Sequence, residues 1–95
     1  MSAYIIFILD KVKDQAALDA YRKTVPPTFE GHAVTRRAGG ARAVALEGPP
    51  VESGVVLEFP TLEEARAWYD SPAYQAATQQ RLKGGDYRVL IIEGA

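Results

Sequence analysis

Glu58 stands in the run GVVLEF, a carboxylate with apolar neighbours on either side. In the gap between a sheet and its covering helices, burial would raise its pKa and suit it to act as a general base. On the opposite face or at a rim, the same side chain would be a structural ion-pair partner, for example of an arginine. His32, the single histidine, is the side chain that ordinarily titrates near neutrality. It follows Gly31 in a loop and serves there either at a pocket mouth or as a surface or capping group. No second histidine, cysteine or serine-nucleophile motif accompanies it, so no catalytic triad can be assembled.

Tyr21, Trp68, Tyr69 and Tyr74 recur at helical spacing. Such rings are ordinary core material, yet buried phenol and indole donors need partners. Several of them beneath a sheet would line a pocket with a few polar handles. Arg36 and Arg37, with Arg42 nearby, would hold a carboxylate in bidentate fashion. Read more simply, they form a solvated strand edge that discourages edge pairing. Asp70 and Ser71 read as helix caps. The candidates for proton transfer are thus Glu58 and His32, and those for ligand binding are Tyr21, Arg36, Arg37, Trp68 and Tyr74.

Composition removes several classes of function. The 95 residues include no cysteine and one histidine. Disulfides, thiolate nucleophiles, Fe–S clusters and multi-histidine metal sites within one chain are therefore excluded, and neither a metal nor a cofactor is expected. Eleven basic residues oppose twelve acidic ones, for a net charge of −1. That balance supplies no electrostatic footprint for nucleic acid or an anionic membrane. The pairs Gly39-Gly40 and Gly84-Gly85 lack the spacing and the Lys-Ser/Thr of a phosphate loop. The first residues carry no basic signal region, and the apolar run that follows is too short to span a bilayer. A cytoplasmic location is the expectation.

These side chains need elements to position them. Residues 3–9 (AYIIFIL) are rich in β-branched and aromatic residues and suit a strand. Asp14 is an N-cap candidate, and Ala17, Leu18, Tyr21 and Val25 follow at helical spacing. Pro26-Pro27 ends or kinks that helix, with a last turn to Phe29 and Gly31 as the stop. Residues 33–47 read as strand material interrupted at Gly39-Gly40 by a bulge or tight turn. After the Gly48-Pro49-Pro50 loop, residues 54–59 form a further strand stopped by Pro60. Thr61 to Glu64 is a capping box that opens a helix bearing Leu62, Ala65, Trp68 and Tyr69 on one face. Ser71-Pro72 restarts the helix, Gly84-Gly85 ends it, and residues 87–92 (YRVLII) are the last strand.

The order β-α-β-β-α-β predicts one α+β domain over residues 1–95. It is a ferredoxin-like fold, with a four-stranded antiparallel sheet and two helices on one face. A sheet wetted on its other face would alternate apolar and polar residues. The first strand does not: Tyr4, Ile6 and Ile8 oppose Ile5, Phe7 and Leu9, and both sets are apolar. A second layer must cover the far face, and the economical one is the same sheet of a second copy, in an isologous homodimer. A chain this short buries only about 60–65% of its unfolded surface, so oligomerisation would add needed buried area.

The run VVLEFPTLEEARAWYDSPAYQ at residues 55–75 resembles the bacterial family numbered 1330 among the domains of unknown function, within the dimeric α/β-barrel superfamily. The opening Ala3-Tyr4-Ile5-Ile6, Tyr21-Arg22 with Val25-Pro26-Pro27, Leu46-Glu47-Gly48 and the closing Glu93-Gly94 extend the likeness over nearly the whole chain. The resemblance implies the same fold and dimer. It implies no single activity, since relatives on this fold include cofactor-free monooxygenases, isomerases, haem-degrading enzymes and non-catalytic stress proteins. The chain has no asparagine, so the Asn-His-Trp arrangement of the haem-degrading relatives cannot form. Family members also commonly carry an arginine directly before the Gly-Gly pair, where this chain has Ala38, with Arg37 one place earlier. Either a bulge restores the arginine's direction or the group is missing. The residues themselves lead to the expectation of a small pocket between sheet and helices for a partly apolar metabolite, a carboxylate where the arginines face it, with cofactor-free proton transfer by Glu58 or His32 if the protein is an enzyme. The alternative is a non-catalytic ligand-binding or stress-related dimeric module.

Overall fold

The computed structural model describes residues 1–40 and 42–95. Strand β1 (Ala3–Val12) leads into helix α1 (Gln15–Thr28), then β2 (Thr35–Gly39) and β3 (Ser53–Phe59). Helices α2 (Leu62–Tyr69) and α3 (Pro72–Gly84) precede the last strand, β4 (Gly85–Glu93). The strands form one antiparallel sheet in the order β2-β3-β1-β4, which is the ferredoxin-like arrangement.

Local chemistry explains the helix boundaries. Asp14 accepts from the Ala17 N–H at the start of α1, Thr61 from Glu64 at the start of α2, and Ser71 from Tyr74 at the start of α3. Each satisfies a backbone donor that the first turn leaves unpaired. The expected second helix is two helices: Asp70 closes α2, and the extended Ser71 turns the chain before Pro72 opens α3. Pro26 and Pro27 lie inside α1 without ending it; the helix runs on to Thr28, and the N–H of its C-cap, Phe29, reaches the Pro26 and Pro27 carbonyls.

The expected strand material at residues 33–47 shortens to β2, five exposed residues on the sheet edge. Gly39 and Gly40 have φ of 155° and 143°, so the pairing ends there. That stretch also crosses Ala41, which lies outside the described residues. Residues 42–50 belong to neither helix nor strand.

Alternation along β1 separates the two faces. Ala3, Ile5, Phe7 and Leu9 are buried under the helices, together with Leu57 and Phe59 of β3. Trp68 of α2 and Tyr74 of α3 complete this core, both fully buried. The opposite face bears Tyr4, Ile6 and Ile8, aligned with Val56 on one side and with Leu90 and Ile92 on the other. Among the described residues no helix covers it, and Leu90 and Ile92 are 40% and 49% exposed.

Candidate functional site

Helix α1 packs along α3, and its backbone stands off from the sheet beneath it. Gly84, the last residue of α3, permits that closeness: a Cβ there would stand 2.5 Å from Leu18 Cδ2 and 3.0 Å from the Leu18 backbone nitrogen. Between α1 and the sheet a cavity of about 480 Å³ remains. Its floor is Phe7 and Leu9 of β1 with Val55 and Leu57 of β3, and Val25, Pro26 and Phe29 of α1 form its roof. Trp68 closes it at the α2 side.

A network of rings and hydroxyls fixes the wall around Trp68. Its ring stacks on Phe29 with centroids 5.2 Å apart and meets Tyr74 at 4.1 Å. The indole N–H donates to Thr28 Oγ1 at 3.0 Å, and that hydroxyl donates to the Val25 carbonyl at 2.6 Å. The buried indole donor is therefore satisfied. Tyr21 and Tyr74 join their hydroxyls at 2.7 Å.

The polar groups of the cavity come from several elements: Tyr21 and Arg22 on α1, Arg36 on β2, Ser53 on β3 and Tyr87 on β4. Both arginines are largely exposed, and no acidic residue lines the cavity among the described residues. A bulge sets the direction of the arginines on β2. The register slips between Arg36 and Ala38, so that Arg36 opposes the inward-facing Leu57 while Ala38 opposes Val56 on the other face. The guanidinium of Arg36 lies across Gly39, where a Cβ would come within 2.7 Å of its Nε and Nη2. Arg37, the extra residue, instead meets Glu58.

The expected site residues therefore divide. Tyr21, Arg36 and Trp68 line the cavity, and Tyr74 stands behind it, bonded to Tyr21. Arg37 and Glu58 do not reach it. The reading of Glu58 as a base between sheet and helices is corrected: Leu57 and Phe59 face the helices, so Glu58 between them faces away. There Arg37 Nε donates to its carboxylate at 2.5 Å. Ser2 beside the carboxylate and the Arg37 guanidinium hold its pKa below the ordinary glutamate range, the reverse of a base activated by burial. His32 is half-buried outside the cavity, and its backbone N–H closes the turn after α1 onto the Phe29 carbonyl at 2.9 Å.

Sequence reasoning missed Arg22, Ser53, Tyr87 and Arg81. Arg81 is buried at 6% exposure on α3, with its guanidinium 5.2 Å from the centroid of the Tyr87 ring. The signal was its spacing, seven residues beyond Tyr74 on the face that also carries Ala77 and Thr78. For Arg22, Ser53 and Tyr87 only the tertiary arrangement shows the role.

Among curated proteins, none matches the sequence. Solved structures do. A protein of unknown function from Rhodopseudomonas palustris is similar with a TM-score of 0.77 at 17% identity, over 99% of this chain and 82% of that one. A dimeric ferredoxin-like protein of unknown function from Thermobifida fusca is similar at 0.69 and 15%, over 99% and 92%. The cofactor-independent oxygenase SnoaB from Streptomyces nogalater is similar at 0.70 with 4% identity, over 99% and 93%. At these identities the likeness shows the ferredoxin-like fold. Residues 2–95 match the family model described as domain of unknown function (DUF1330), and this chain is a member of the DUF1330 family.

Proposed function

We propose that this protein is a single ferredoxin-like domain acting as a homodimer, with a cavity in each subunit that binds a small, partly apolar carboxylate. The observation that carries the reading is the cavity itself. It has an apolar floor and roof, with Arg22 and Arg36 on its lining and no acidic residue among its described walls. Arginine is the side chain best matched to a carboxylate, through paired N–H donors. The apolar walls would hold the hydrocarbon part of such a ligand and exclude water around it. Sheet-to-sheet pairing would cover Ile6, Ile8, Val56, Leu90 and Ile92, and the dimeric relative from Thermobifida fusca supports it. Glu58 and His32 lie outside the cavity, so any proton transfer within it falls to the phenols of Tyr21 and Tyr87.

Trp68 is the single tryptophan and lines the cavity, so its fluorescence reports occupancy directly. Titration with 3-phenylpropanoate is expected to change the emission saturably. The neutral isostere 3-phenylpropanamide should bind about tenfold more weakly, since hydrogen bonds to charged groups contribute roughly 1.5–3 kcal/mol. Arg36→Gln should remove that preference and leave the amide's affinity unchanged. Equal affinity for acid and amide, or no saturable signal with either, would sink the reading.

A further inference from the structure

Arg81 is a buried cation without a carboxylate. Its residue is 6% exposed, no ion pair includes it among the described residues, and its Nε has no hydrogen-bond partner. A buried charge left in this way is costly unless something neutralises it. What surrounds it is a set of phenols. The guanidinium lies over the Tyr87 ring and beside Tyr74, whose hydroxyl is 2.7 Å from that of Tyr21. Burial pushes the pKa of all three tyrosines up, and the positive charge of Arg81 pulls each of them back. Two of the three, Tyr21 and Tyr87, line the cavity. They come from α1 and from β4, the edge strand opposite the one that bears Arg36.

We propose that the Tyr21 and Tyr87 hydroxyls, backed by Tyr74 and the buried Arg81, form an oxyanion site at the β4 end of the cavity. It would take an ionised phenol- or enol-type oxygen of the ligand. This deepens, and rests on, the reading of the cavity as a carboxylate site. The ligand class becomes a carboxylate bearing a second acidic oxygen at its far end. Either hydroxyl can donate in the Tyr21–Tyr74 bond; in the proposed site Arg81 makes Tyr74 its acceptor, Tyr74 takes the donor role toward Tyr21, and the Tyr21 proton is left for the cavity. Donors aligned in series strengthen one another, and in a low-dielectric wall they favour negative charge where the chain ends. Arg81 touches no ligand in this arrangement and is a positioning residue. The anion it lacks is the one the ligand brings.

The probe is 4-hydroxy-3-nitrophenylacetate, which carries a carboxylate at one end and at the other a phenol that is strongly coloured when ionised. Its control, 3-nitrophenylacetate, lacks the phenol. Binding of the probe should lower the titration midpoint of its phenol by at least one pH unit, meaning that the phenolate form binds about tenfold tighter than the phenol. Arg81→Met should abolish the shift, Arg81→Lys should keep most of it, and Tyr21→Phe should reduce it. The affinity of 3-nitrophenylacetate should stay unchanged in the two Arg81 variants, since Arg81 does not line the cavity. If Arg81→Met does not fold, the contrast between Arg81→Lys and Tyr21→Phe decides. A bound phenol titrating at or above its free midpoint, or a shift that survives both Arg81→Met and Tyr21→Phe, overturns the oxyanion site while leaving the carboxylate cavity standing. Failure of the control compound itself to bind overturns both.

Discussion

At the scale of single residues, two carboxylates on the open face are held ionised by their neighbours. Glu58 has Ser2 and Arg37, and Asp10 receives two hydrogen bonds from Arg88 at 2.8 and 2.9 Å, so both pKa values fall below the ordinary range. A carboxyl group more acidic folded than unfolded stabilises the fold above its unfolded pKa. That contribution is lost as pH drops through the lowered native value. Urea midpoints measured from pH 6 downward should therefore decline at the acid end, and Glu58→Gln should flatten part of that decline. Thr28 carries a different weight. It is buried, and its Oγ1 is the acceptor for the Trp68 indole. Thr28→Val preserves the shape but leaves a buried N–H without a partner, at an expected loss of about 1–3 kcal/mol in urea unfolding. Its indole emission should also change before any ligand is added.

At the scale of elements, the cavity lies where the backbone of α1 follows α3 and stands off from the sheet, while Tyr21, Val25 and Phe29 still pack against the core. Gly84 sets that spacing from one side and Leu18 from the other. Gly84→Ala should push the helices apart and destabilise the fold by about 1–3 kcal/mol. Affinity for 3-phenylpropanoate should change with it, because the cavity roof moves; unchanged affinity would separate the roof from this contact. The helices and strands were readable in the chain because their signals are local: Asp14, Thr61 and Ser71 each cap the helix they precede. The side on which Glu58 lies was not readable. Both faces of β1 are apolar, so nothing in the pattern said which face the helices would take, and only the burial of Leu57 and Phe59 decides it. The length of β2 was misread for a related reason. Residues such as Val44 suit a strand, but an edge strand needs a partner along its whole length, and pairing with β3 ends at Gly39. The lifted α1 left no local trace, since it depends on a glycine at residue 84 meeting a leucine at residue 18.

At the scale of the whole molecule, the open face is a band of aliphatic side chains with an ion pair at each of two opposite corners. Glu58 with Arg37 marks the β2–β3 corner, and Asp10 with Arg88 the β1–β4 corner. In the proposed homodimer the band forms the centre and the pairs the polar rim, the usual anatomy of such contacts. Ile6, at the middle of the band between Val56 and Leu90, is the place to break it. Sedimentation of the unaltered protein at micromolar concentration should give twice the chain mass. Ile6→Asp should give a single chain mass with a lowered urea midpoint. A monomer in the unaltered protein would remove the homodimer.

The bulge at Arg37 has a consequence for how such a protein can diversify. In the proposed homodimer, assembly and cavity share the same strands, with their residues interleaved one by one, so a substitution on β1 or β3 alters one duty and leaves the other intact. A single-residue insertion within those strands would exchange the two duties along everything that follows it. At the sheet edge the same event is harmless, and here it is what gives two adjacent arginines different faces: Arg36 turns to the cavity and Arg37 to the open side. Descendants of this fold can therefore acquire new ligands by point changes in the central strands. Insertions of one residue are open to them mainly at β2, where they re-aim a charged group without disturbing how the subunits meet.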